Sequence, residues 1–209
     1  MSPEEIYNPL DKIHLAESIR NAMLLRPMES LEKTAPFDGA GIYAIYYRGS
    51  SELYSAISTR KQSGAREIPI YVGKAIPPGN RRGVIDPRAK IGDPLFKRLK
   101  EHAESIRCCG NLDVADFDCR YLVVDDVWIP LGESLLIQSF RPVWNVALDG
   151  FGNHDPGGGR RGQKRSPWDT LHPGRPWARK LVDGEKTEAI LRREVRQHFT
   201  RMATESSPD

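Results

Sequence analysis

Cysteine is scarce and unevenly placed: Cys108, Cys109 and Cys119 are the only three, and two of them are adjacent. An odd count, with no CxxC pair and no Cys/His spacing of the zinc kind, points to reduced thiols and argues against a disulfide framework or a structural zinc. Long apolar runs are missing too. None approaches the roughly 20 residues that cross a bilayer. The start, Met1-Ser2-Pro3-Glu4-Glu5, is acidic where a signal peptide would be basic, so the expected location is cytoplasmic. Two phosphate-binding signatures also fail. The glycine-rich stretch from Gly157 runs into Gly162-Gln163-Lys164, which lacks the GK[ST] ending of a P-loop. Gly39-Ala40-Gly41-Ile42-Tyr43-Ala44 fits GxGxxA in letters only, because it opens a strand instead of following one into a helix.

What remains is an ordinary globular composition: 209 residues, 39% hydrophobic and 28% charged. That length suits a single domain over residues 1–209, with a core and extensions around it. A net charge of +3 says little, but its distribution is uneven. Arg81, Arg82, Arg88, Lys90, Lys97, Arg98, Lys100 and Arg107 crowd one segment, and Arg160, Arg161, Lys164, Arg165, Arg175, Arg179 and Lys180 crowd another. The intervening segment is acidic, with Asp113, Asp116, Asp118, Asp125 and Asp126 against Arg120. Segregated cations of this kind suit phosphate neutralisation, with two solvated loops as the alternative.

Residues 11–25 place Ile13, Leu15, Ala16, Ile19, Ala22 and Met23 at helical spacing, and Pro27 ends the run. Two short strands follow, Gly41-Ile42-Tyr43-Ala44-Ile45-Tyr46-Tyr47 and Ile68-Pro69-Ile70-Tyr71-Val72-Gly73-Lys74, joined by a polar link with a short helix over 52–60. Alternation along a strand puts Tyr43, Ile45 and Tyr47 on one face, and pairing would let Tyr43 and Tyr71 project together. The Pro-, Gly- and Arg-rich segment 76–92 is long for a loop within a compact domain, which favours nucleic-acid contact. Asp93-Pro94 then starts a helix with Leu95, Leu99, Ala103 and Ile106 as its buried stripe. Arg98 and His102, four apart, lie along one edge of that stripe. Two potential cations there repel unless an anion lies close, and a phosphate would serve. Phe117 to Val124 reads as a third strand and Ile129 to Phe140 as a second core helix. Glu133 falls among Leu136, Ile137 and Phe140, where a carboxylate needs a partner: a divalent metal first, an arginine as the rival. Asn145 follows just beyond that helix. Trp168 and Trp177 are expected to anchor the C-terminal stretch, and Leu191, Val195 and Phe199 to stripe a final helix.

The order Gly41-Ile42-Tyr43, Tyr71-Val72-Gly73, Arg98, Glu133 and Asn145 resembles the GIY-YIG nuclease superfamily, with Tyr71-Val72-Gly73 a one-residue variant of its second signature. Phe37-Asp38-Gly39, Asn111-Leu112-Asp113, Asp149-Gly150-Phe151-Gly152-Asn153-His154, Ser166-Pro167-Trp168-Asp169 and His172-Pro173-Gly174-Arg175 extend the likeness to its compact type II restriction endonucleases that cleave CCGCGG. The resemblance implies an α+β GIY-YIG fold, a small three-stranded, largely antiparallel sheet flanked by helices. It implies a catalytic core over 39–148 and a basic extension over 149–209 packed on it. It further implies hydrolysis of double-stranded DNA, with Tyr43, Tyr71, Arg98, His102, Glu133 and Asn145 as the catalytic set. Glu133 would hold one Mg2+, with Mn2+ as a substitute. Arg81, Arg82, Arg160, Arg161 and Arg165 would contact DNA, in a homodimer on a palindrome with a cognate methyltransferase as genetic partner. A structure-specific repair or homing nuclease and a non-catalytic DNA-binding protein are the alternatives.

Overall fold

The computed structural model describes residues 11–58, 67–77, 92–157, 159 and 162–205. Four strands form one antiparallel sheet in the order β1-β4-β2-β3: β1 Glu29–Ser30, β2 Gly41–Tyr47, β3 Tyr71–Ala75 and β4 Phe117–Val123. Three of these are the expected strands. The fourth, β1, pairs Glu29 with Cys119 and Ser30 with Asp118, and two polar residues carry no periodicity by which a sequence could reveal them.

All seven residues of β2 are buried, as expected for a central strand covered on both faces. One face carries Tyr43, Ile45 and Tyr47 into a cluster with Leu95, Leu99, Ala103 and Ile106 of helix α2 (Pro94–Arg107). Ile42, Ala44 and Tyr46 on the other face join Val72, Met23 of α1 (Lys12–Leu24), and Ile129, Leu136 and Phe140 of α3 (Ile129–Phe140). The apolar spacing of α1 overstated its buried face, since Ile13 is 63% exposed and only Met23 is fully covered. Helix α3 has proline in its first turn and stops at Arg141, whose backbone is left-handed at φ 48°.

Beyond α3 the chain forms α4 (Val143–Val146), α5 (Pro167–Leu171) and α6 (Glu188–Glu205). Trp144, Phe151, Trp168, Leu171, Leu191 and Val195 are buried in the same cluster as Tyr43 and Leu99, so the C-terminal stretch helps to build the core beneath the tyrosines. The link after β2 contains a 3-10 turn at Glu52–Tyr54. The remainder of that expected helix, and most of the long loop over 76–92, lie outside the described residues. Among the described residues no helix is long and apolar enough to cross a membrane.

Candidate active site

Strands β2 and β3 pair with Tyr43 opposite Gly73 and Ile45 opposite Tyr71. This register places the two phenols diagonally on one face, with ring centroids 6.2 Å apart. Gly73 is required there, because a Cβ at this position would run into the Tyr43 hydroxyl and the Tyr71 ring. Helix α2 covers the same face and delivers Arg98 and His102. The His102 Nε2 lies 2.6 Å from the Tyr43 hydroxyl, and its ring stacks on Phe151 at 4.4 Å.

Sequence periodicity placed His102 at a half-buried edge, whereas it is 1% exposed. Burial drives its pKa well below the usual 6.5, and the charges of Arg98, Arg175 and His154 push the same way. Burial also raises the Tyr43 phenol well above 10; Tyr71 adds to this and Arg98 partly offsets it. At neutral pH the pair is therefore a neutral phenol hydrogen-bonded to a neutral imidazole. The expected repulsion between Arg98 and His102 is avoided because only Arg98 is charged. Arg98 also has an anion beside it: Glu101, whose side chain is 54% exposed, accepts from Arg98 Nη1 at 2.7 Å. Two further contacts of that guanidinium come from the C-terminal stretch, Nη2 donating to the Gly152 carbonyl at 2.6 Å and Nη1 to His154 Nε2 at 2.7 Å.

Glu133 reaches the site from α3. Its charge acts on both phenols, raising each pKa, though burial is the dominant cause for both. Its protein partner is Lys74 of β3, with Nζ 2.6 Å from Oε2, so the side chain that balances the carboxylate is a lysine where an arginine was the expected rival to a metal. The two side chains are 35% and 20% exposed, so the pair borders solvent. Among the described residues no three His, Cys, Asp or Glu side chains converge as a metal cage. Magnesium does not need one: it keeps several waters and uses one or two carboxylates plus substrate phosphate oxygens. A single accessible carboxylate at the mouth of the site fits that donor set.

Asn145 lies just beyond α3, as expected, within the short helix α4. Its Oδ1 accepts from the Val72 N–H and its Nδ2 donates to the Val72 carbonyl, both at 2.8 Å. The side-chain amide thereby pairs with the outer edge of β3 as a neighbouring strand would. An aspartate could accept from that N–H but would turn its second oxygen against the carbonyl. Asn145→Asp is expected to cost about 1–3 kcal/mol of stability, measured by urea unfolding. An unchanged midpoint would show that the edge is not held this way.

Of the expected DNA contacts, Arg81, Arg82, Arg160 and Arg161 lie outside the described residues. Arg165 is turned into the C-terminal stretch, where it meets Asp183 at 3.1 Å and the Ala178 carbonyl at 3.3 Å. Arg175, counted in the basic run, is buried against Asp169. Lys74 and His154 were both inside quoted motifs yet unassigned. A charged residue on a sheet face otherwise packed with apolar side chains was the signal for the first; nothing local marked the second.

A second buried phenol–imidazole pair, Tyr54 with His172 Nε2 at 2.5 Å, lies in the same core beyond Trp144, and burial pushes His172 down to about 3. In the unfolded chain His102 and His172 both take up a proton as pH falls through about 6.5, while the folded state keeps them neutral. The unfolded state then binds more protons, so stability is lost as pH drops from about 6.5 toward the folded values. Each histidine contributes a slope of up to about 1.4 kcal/mol per pH unit. Urea midpoints should fall steadily between about pH 7 and pH 5; a flat profile would contradict the burial of these neutral rings.

No curated protein matches the chain. The model of the family described as "Eco29kI GIY-YIG domain" matches residues 35–199, which include both tyrosines, the α2 arginine and histidine, Glu133, Asn145 and the loop that holds Arg98. Four antiparallel strands flanked by helices agree with a GIY-YIG fold. With that span matched, the chain belongs to the Eco29kI GIY-YIG domain family, a family of restriction endonucleases and thus of nucleases that act on DNA.

Proposed function

We propose that the protein is a type II restriction endonuclease that hydrolyses double-stranded DNA at a short GC-rich palindrome, with CCGCGG the first sequence to try. The observation that carries this reading is the convergence on the Tyr43 hydroxyl of a neutral buried imidazole at 2.6 Å, a second phenol and the Arg98 guanidinium. Phosphodiester hydrolysis needs an activated water, an electrostatic hold on the phosphate and stabilisation of the leaving oxygen. The planar fork of Arg98 suits the scissile phosphate, which would take the place of Glu101 and His154 on its N–H groups. Tyr43 meets the attacking water. A phenol is a poor base at neutral pH, so it acts as a relay, giving its proton to His102 Nε2 as it receives one from water. Tyr71 orients the phosphate. Glu133, with water and phosphate oxygens, would hold a divalent ion, magnesium or manganese, whose chemistry is to stabilise charge on the leaving 3′ oxygen.

An even palindrome is most simply read by a two-fold dimer with one site per strand. A host carrying such an enzyme needs a cognate methyltransferase to protect its own sites. Incubating the purified chain with plasmid and magnesium tests the reading. Discrete fragments from cuts at one palindrome support it; nicking confined to branched or damaged DNA would replace it with a repair nuclease, and intact plasmid with a non-catalytic binder.

A further inference from the structure

Residues 150–154 touch three of the six residues of the candidate catalytic set, Tyr71, Arg98 and His102. The Phe151 ring lies 4.4 Å from His102 and 4.9 Å from Tyr71. The Gly152 carbonyl and His154 occupy the two Nη groups of Arg98. Such a turn has no sheet or helix ladder of its own to hold it. It is held instead by a guanidinium beneath it. Arg175 donates to the carbonyls of Gly150 at 2.9 Å, Phe151 at 3.1 Å and Asn153 at 3.0 Å, and to the two oxygens of Asp169 at 2.7 and 2.6 Å.

Those are five bonds from a group with five N–H donors, so the side chain is fully used. Its guanidinium carbon stands 4.7 Å from the Trp168 ring and 4.5 Å from that of Trp177, and the residue is 2% exposed. Asp169 is in turn fixed by Ser166 Oγ at 2.7 Å. A fork saturated in this way fixes three of the four carbonyls between Gly150 and Asn153, which packing alone would not do.

We propose that Arg175 is a positioning residue for DNA cleavage: it sets the 150–154 turn, and the turn sets the Arg98 guanidinium and the Tyr71 hydroxyl in their reacting geometry. The C-terminal stretch is on this account part of the catalytic apparatus. The role rests on the nuclease reading above, but the contact it describes is measurable without cleavage. Two substitutions in the full chain test it. Arg175→Lys keeps the charge but offers three donors where five are used. Gly152→Ala leaves all five Arg175 bonds in place and has no left-handed backbone to strain, yet its Cβ would stand 2.6 Å from the Tyr71 hydroxyl and 3.6 Å from Arg98 Nη2.

Both variants are expected to lose about 10²-fold or more in single-turnover cleavage, the usual effect of misplacing a reacting group, while duplex affinity with Ca2+ replacing Mg2+ changes by less than about threefold. Gly152→Ala should melt with the wild type. Nitrogen NMR on arginine-labelled protein should show hindered Nη rotation of Arg98 in the wild type and free rotation in Arg175→Lys. A wild-type rate in either folded variant, or a loss no larger than the fall in folded fraction, overturns the proposal. So does an Arg98 that stays hindered in Arg175→Lys. Should Arg175→Lys fail to fold, a wild-type rate in Gly152→Ala still overturns the proposal. A wild-type chain that cuts no DNA removes the nuclease reading, and the NMR comparison still settles whether Arg175 holds Arg98.

Discussion

Glu133→Gln is expected to stop cleavage while leaving DNA binding intact. Glutamine matches glutamate in shape and can still accept a hydrogen bond from Lys74, now 2.6 Å from the carboxylate, so α3 and β3 keep their contact. What is lost is the negative charge, the one feature of Glu133 that a divalent ion requires. Charge stabilisation by a bound metal is worth several kcal/mol in the transition state. At about 1.4 kcal/mol per factor of ten, cleavage should drop by roughly three orders of magnitude or more. Binding should respond in the opposite sense. Lys74 would lose its counter-charge beside the phosphate path, so affinity in calcium should hold or rise slightly. Glu133→Ala should be equally inactive, and adding manganese should rescue neither. A Glu133→Gln enzyme cutting within about tenfold of wild type would rule out the proposed metal role of this carboxylate and leave it as a structural partner of Lys74.

How far the sequence could anticipate this cluster depended on whether the signal was local. Strand β2 and helix α3 were legible because seven apolar residues and a proline-bounded run announce themselves within a short window. The buried stripe of α2 followed from spacing alone, and all four of its residues are fully covered. Pairings across the sheet were not legible. Lys74 and Glu133 are 59 residues apart, and nothing in either segment names the other. Arg175 shows the limit of reading charge from composition. It stands in a run of cations that looks built for phosphate, yet it is buried, saturated by one carboxylate and three carbonyls. Its partner Asp169, six residues away, was visible in the sequence, but the two indole rings around it are a tertiary fact. The counter-charge of Arg165, Asp183, likewise arrives only when the chain turns back on itself.

His102 should control the rate of turnover far more than the strength of binding. It touches no solvent and lies behind Tyr43, so DNA cannot reach it directly. Removing it by His102→Ala leaves the Tyr43 phenol, already raised well above 10, without a proton acceptor. General-base assistance is typically worth about 10²–10⁴-fold, and the loss in kcat should fall in that range with KM little changed. The pH dependence is the sharper test. In the free enzyme burial first, and then the charge of Arg98, hold His102 well below 6.5. When a phosphate settles on Arg98 its negative charge offsets that cation, and the imidazole becomes more basic at the moment a base is needed. The acid limb of kcat/KM, which reports the free enzyme, should therefore lie below pH 6.5. The limb of kcat, which reports the complex, should lie at higher pH than that. Both limbs should vanish in His102→Phe, which fills the same space without a nitrogen. Equal losses in turnover and affinity would make His102 a phosphate contact, and an acid limb that persists in His102→Phe would assign the titrating base to another residue.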